Sequence, residues 1–205
     1  MSDSSRERLL AVGVDLVGQR GPAGFTLREA ARRSNVSHAT PGYLFGDLRG
    51  FRTELALGGQ RRFSAGMERA EAKVGDPLDR LLAIGASYVA FARREPQMFR
   101  MMVGDLYVDS SRDDLRQQRD HAEGPLQRAM GDLHRIDGEV SGEHVPAFLA
   151  RVRLAWSTVH GVANLIIDGP FAGTDAHEQQ IVQDVLTALA PALIAPLATG
   201  PLALQ

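Results

Sequence analysis

Residues 26 to 45 read Thr-Leu-Arg-Glu-Ala-Ala-Arg-Arg-Ser-Asn-Val-Ser-His-Ala-Thr-Pro-Gly-Tyr-Leu-Phe. They hold the side chains best suited to recognition chemistry. Thr26, Arg28, Ser37, His38, Thr40 and Tyr43 bring hydroxyl, guanidinium and imidazole groups that hydrogen-bond phosphate oxygens or base edges. Ala39 and the methyl of Thr40 suit contact with a thymine methyl. Catalytic chemistry is not legible. No cysteine occurs, so a thiolate nucleophile, a disulfide and a cysteine-based metal site are excluded. His177-Glu178 begins like a zinc-protease motif but lacks its second histidine. No Glu-x-x-His pair, nucleophile elbow or phosphate-binding loop is present. No catalytic residue, metal or cofactor is expected.

The elements that must position residues 26 to 45 follow from capping signals. Thr26 and Glu29 form a Thr-x-x-Glu capping box, which starts a helix. Ala30 and Ala31 are small enough for a second helix to cross closely. Asn35 suits the left-handed residue that ends a helix, and Ser37 can cap the next one. Helix, tight turn and helix make a helix-turn-helix over about 26–45, whose second helix enters a DNA major groove.

Apolar residues at three- and four-residue spacing predict helix throughout. A first helix ends near Gly21-Pro22. A long helix capped by Asp47 runs to about Lys73, and another from Pro77 to Arg94. A short segment carries Met98, Phe99, Met101 and Met102. Residues 104 to 113 read as a loop, and a polar helix follows from about Asp114 to Arg135. A loop over 136–142 precedes an apolar helix over 143–168. A last helix starts near Thr174 or Asp175; Pro191 is expected to stop or kink it, leaving a loose tail with Pro196 and Pro201. His121, His134 and His144 fall in polar stretches and are expected to be solvated.

The 205 residues give a net charge of −2, unevenly spread. Residues 1–62 hold ten arginines against six acids, and the remainder thirteen basic against nineteen acidic residues. The positive charge therefore coincides with the helix-turn-helix and suits phosphate contact. No apolar run is long enough to span a membrane, and the first residues lack an apolar signal core; a cytoplasmic protein is expected.

The chain resembles the TetR family of bacterial transcriptional regulators. The resemblance rests on Gly21, Thr26-Leu27-Arg28, Ala31, Val36-Ser37 and Phe45. Trp156, His160 and Gly161 match the Trp-x-x-x-His-Gly (WHG) pattern of one branch. It implies an all-α fold: an N-terminal three-helix helix-turn-helix DNA-binding head, residues 1–46, and a helical ligand-binding and dimerisation body, residues 47–205. It implies a ligand-responsive repressor that binds palindromic operator DNA as a homodimer, joined through the last two long helices, about 143–168 and 175–190. An unknown small-molecule effector in the body shifts DNA affinity. DNA contacts are assigned to Thr26, Arg28, Ser37, His38, Ala39, Thr40, Tyr43 and Arg49. Tyr88, Phe91, Phe99, Met102, Trp156 and His160 are the candidate ligand-binding residues, because flexible Met and aromatic side chains suit an adaptable pocket. Gly161 is expected to permit close helix approach.

Two positions depart from the family pattern. Gly42 stands where an aromatic residue is usual, and costs helix stability of about 1 kcal/mol relative to alanine. Leu48 stands where a basic residue is usual, leaving that phosphate contact to Arg49 or Arg52. Two other readings share this composition. One is a helical small-molecule-binding or interaction protein with little DNA binding. The other is an enzyme on a helical bundle, which needs paired ligands or an activated nucleophile.

Overall fold

The computed structural model describes residues 2–135 and 145–197. The expected loop over 136–142, the start of the apolar helix at 143, His144 and the tail with Pro201 lie outside the described residues. The described residues form helices and connecting turns, with no strand among them. The helices are α1 Ser2–Arg20, α2 Leu27–Arg33, α3 Thr40–Phe45, α4 Leu48–Glu71, α5 Pro77–Arg94, α6 Pro96–Val103, α7 Asp113–Leu133, α8 Val145–Asp168 and α9 Asp175–Ile194.

Side-chain caps explain several starts. The Thr26 hydroxyl accepts from the Glu29 amide at 3.2 Å. Asp47 accepts from the Gly50 amide at 2.7 Å, and Asp76 accepts from the amides of Leu78 and Asp79. Thr174 accepts from the His177 amide. Each satisfies an amide that has no partner inside its own helix.

Two expectations are corrected. The helix expected after Ser37 begins only at Thr40, with 38–39 in a turn. An α-helix capped at Ser37 needs the amide of residue 41 to reach the Ser37 carbonyl, and Pro41 has none. The Thr40 amide donates there instead, at 3.1 Å. Of the stop or kink expected at Pro191, the stop does not occur: α9 runs on to Ile194. One helical bond is lost, but Leu189 and Leu193 on either side are buried and anchor the final turn.

The chain divides into two compact units: Met1–Ser64 with Arg94–Ala122, and Ala65–Arg93 with Glu123–Gln205. The core of the first holds Leu9, Leu16, Phe25, Ala30, Ala31, Phe51 and the methionines of α6. Phe51 meets Phe45 at 4.8 Å and Phe25 edge-on at 6.2 Å. Gly13 allows α1 against α4, since a Cβ there would lie 2.7 Å from Phe51. The second unit packs Leu81, Ile84, Tyr88, Phe148, Val152, Val159, Leu186 and Leu193.

Candidate nucleic-acid interface and a buried polar pair

The helix-turn-helix is assembled in the first unit. Asn35 takes a left-handed backbone with φ 52°, which turns the chain sharply between α2 and α3. The Val36 amide closes the turn on the Ala31 carbonyl at 3.1 Å. Ala30 and Ala31 are fully buried, as their small size predicts. The capping box forms only in part: the Glu29 carboxylate receives Arg20 at 2.8 Å and Arg33 at 3.1 Å.

The residues expected to read DNA sit outward. Thr26, Arg28, Ser37, His38, Ala39 and Tyr43 are exposed or half-exposed, and Thr40 is half-buried. Tyr43 is 87% exposed, an unusual position for a large ring in a folded domain. Ser37 and Thr40 share a hydroxyl–hydroxyl contact at 2.8 Å. Gly42 faces open space, with nothing within 4 Å of a Cβ built there.

The arginines at the start of α4 have structural partners. The Arg49 Nε donates to the Val108 carbonyl at 2.9 Å. Arg52 lies between the rings of Phe25 and Tyr107, at 5.4 and 5.6 Å. Its Nε is buried without a hydrogen bond, and burial lowers its pKa. Beside it, Glu54 receives Arg6 and Arg112, and the Thr53 hydroxyl accepts from the Asp109 amide. The 104–112 connection is thus pinned to α4. Nothing in the sequence pairs that connection with α4, since the partners lie more than fifty positions apart.

The second unit contains a different kind of site. The Tyr88 hydroxyl on α5 hydrogen-bonds the Nδ1 of His160 on α8 at 2.8 Å. Trp156 packs edge-on against the Tyr88 ring at 5.4 Å. Trp156 and His160, one helical turn apart, thus meet a single tyrosine. Burial pushes the Tyr88 phenol up and pulls the His160 imidazole down. Both are therefore neutral around pH 7.

Next to this pair lies an apolar cavity of about 20 Å³, bordered by Met67, Leu81, Gly85, Tyr88, Trp156 and Leu186 among others. Phe91 is buried in the same unit but does not line it. Phe99 and Met102 belong to the first unit, where both are fully buried. The Met102 sulfur there lies 3.4 Å from where a Cβ on Gly59 would stand. The structure thus brings together Tyr88, Trp156 and His160 and assigns the α6 residues to another core. Gly161 has open space on its Cβ side, so its small size serves no contact among the described residues.

His134 corrects another expectation. It is half-buried rather than solvated, with Nε2 enclosed. It follows the end of α7 and bonds the backbone near the end of α9, and burial lowers its pKa. No local pattern signals this, because the partner element lies about sixty residues away. His121 is exposed.

A family profile described as "Tetracyclin repressor-like, C-terminal domain" matches residues 81–189, more than half of the chain. No curated protein sequence matches it significantly. Solved structures share the fold. A protein with unknown function from Rhodococcus sp. RHA1 is 23% identical with a TM-score of 0.79, over 93% of this chain and 96% of that one. The TetR family transcriptional regulator PfmR from Thermus thermophilus is 18% identical with a TM-score of 0.64, covering 90% and 97%. AibR, in complex with isovaleryl coenzyme A and operator DNA, is 14% identical with a TM-score of 0.65, covering 91% and 98%. With its profile match, its all-helical architecture and its capped α2–turn–α3 head, the chain belongs to the tetracyclin repressor-like (TetR) family.

Proposed function

We propose that this protein is a ligand-responsive transcriptional repressor that binds palindromic operator DNA as a homodimer. The observation that carries this reading is the outward presentation of His38, Ala39 and Tyr43, on and just before a short helix braced by a buried alanine crossing. Side chains placed so reach base edges, while Thr26, Arg28 and the first turn of α2 meet phosphate. In this reading Ser37 and Thr40 orient the turn before α3, and Arg49 offers its remaining guanidinium donors to the backbone. The head comprises residues 1–46 and the regulatory body residues 47–205.

Dimerisation is assigned to the outer faces of α8 and α9. Leu154 and Leu165 are each 39% exposed and Ile194 is 52% exposed. Leu154, Thr158, Gly161 and Leu165 recur at four-, three- and four-residue spacing, which places them on one face. The open space beside Gly161 lets a partner helix approach closely.

Regulation works by differential affinity: an effector that favours one conformation of the body changes DNA affinity only by as much as it discriminates between conformations. The AibR structure holds both a ligand and operator DNA, a pairing that supports the same logic here. No helix among the described residues is long and apolar enough to cross a membrane. A cytoplasmic, non-enzymatic role is part of this proposal.

The decisive experiment is selection of bound fragments from a random DNA library. A palindromic consensus that the Arg28→Ala variant fails to bind supports the regulator. Absence of any enriched sequence favours a helical binding protein without DNA function, the reading that Gly42 and Leu48 suggest.

A further inference from the structure

The cavity beside Tyr88 is too small for any effector as it stands. At about 20 Å³ it holds no more than a single water, whereas small-molecule pockets run to about 300–1,000 Å³. Its position is informative. Gly85 leaves out a side chain at the point where α5 meets α8 and α9, with Leu186 2.9 Å and Val159 3.1 Å from a Cβ built there. The surrounding walls are Leu, Ile, Val, Met and Trp side chains that can swing aside to admit a guest.

The chemistry of those walls restricts the guest. None of the thirteen lining residues is charged. The α5 arginines of this unit are committed to carboxylates: Arg80 to Asp132 at 2.7 Å, and Arg93 to Glu178 and Asp175. An ionised guest would lose its hydration with no ion pair in return, a penalty large enough to exclude it. The hydroxyl group on those walls is that of Tyr88, joined at 2.8 Å to the Nδ1 of His160, which is not itself a lining residue; burial holds both neutral.

We infer that the effector is an uncharged, mainly apolar small molecule with one hydrogen-bonding group, which opens the slot at Gly85 and inserts that group between Tyr88 and His160. This deepens the regulator reading above and rests on it. A narrow slot that widens for its guest is a minor conformation made dominant by binding, which is how filling it would change the body.

Trp156 is the only tryptophan in the chain and borders the cavity, so its emission reports filling directly. The test titrates the full-length protein with 1-hexanol, hexanoate and hexylammonium, three probes with one carbon chain and three charges. Emission and retention of the selected DNA are recorded together. Hexanol is expected to shift the Trp156 emission at a concentration at least about tenfold below either ion, and to lower DNA retention. Gly85→Leu fills the slot and abolishes the response. Tyr88→Phe keeps the ring, guards against a folding defect in the first variant, and weakens hexanol by about fivefold through loss of one hydrogen bond. The inference is overturned if an ion binds as tightly as the alcohol, if no probe moves the emission, if Gly85→Leu keeps the response, or if Tyr88→Phe leaves it undiminished. An ion that releases DNA leaves the regulator standing and removes only the effector class. Failure of the probe-free protein to bind any DNA removes both.

Discussion

Gly42 lies in the first turn of α3, exposed, with nothing near its missing side chain. Gly42→Ala is therefore expected to stabilise the protein by up to about 1 kcal/mol, the difference in helix propensity. Urea denaturation measures it as a raised midpoint with unchanged slope. His160 and His134 carry a second prediction. Burial lowers the pKa of each below the ordinary histidine value, so on acidification the unfolded chain takes up protons first. The stability carried by the neutral imidazoles is fully present above about pH 6.5. It declines as pH falls towards their folded values. The denaturation midpoint should drop between pH 7 and pH 5, and His160→Gln should flatten that drop in part, leaving the share due to His134. The carboxylates with lowered pKa, Asp105, Asp109, Asp114 and Glu178, act only in a more acid window.

At the level of elements, several helix starts are legible because one side chain accounts for each. Thr26, Asp47, Asp76 and Thr174 all accept the amides their positions imply. Thr26→Ala should cost about 1 kcal/mol, seen as a lower unfolding midpoint. α3 starts later than expected because its start depends on an absent donor at Pro41 rather than on the cap at Ser37. α9 outruns Pro191 because burial of Leu193, a tertiary fact, outweighs one missing bond. Of the candidate pocket, the Trp156–His160 pair is readable from helical spacing. Their meeting with Tyr88, 72 positions from His160, is not. The methionines of α6 look like pocket material by composition alone, yet they fill the core of the first unit. The Arg52 sandwich between Phe25 and Tyr107 leaves no trace in the sequence, since it depends on a connection folding back onto α4.

For the whole molecule, the proposal depends on two copies acting together. Leu165→Asp places a charge on the face assigned to the dimer while leaving the buried side of α8 intact. It is expected to raise the dimer dissociation constant by about a hundredfold or more, of order 2–3 kcal/mol at a central contact; sedimentation equilibrium measures the change. If another face joins the subunits, the variant sediments as the parent does. Binding to the selected DNA should weaken steeply with salt, since arginine contacts to phosphate release counterions. Arg28→Ala should lower the slope of log affinity against log salt by about one per subunit.

The missing amide of Pro41 has a consequence for how much genetic information one copy can read. With the start of the helix so delayed and Gly46 ending it at φ 77°, α3 has six residues, Thr40–Phe45, an axial length of about 9 Å. At about 3.4 Å per base-pair step, that spans roughly three letters of DNA. In the proposed dimer two such helices would face about six letters, and His38 and Ala39, which stand just before α3, would add contacts at its edge. On that proposal, further discrimination would come from the distance between half-sites and the bendability of the intervening duplex. If the proposed function holds, so short a helix makes the separation of the two half-sites weigh more than the letters within each.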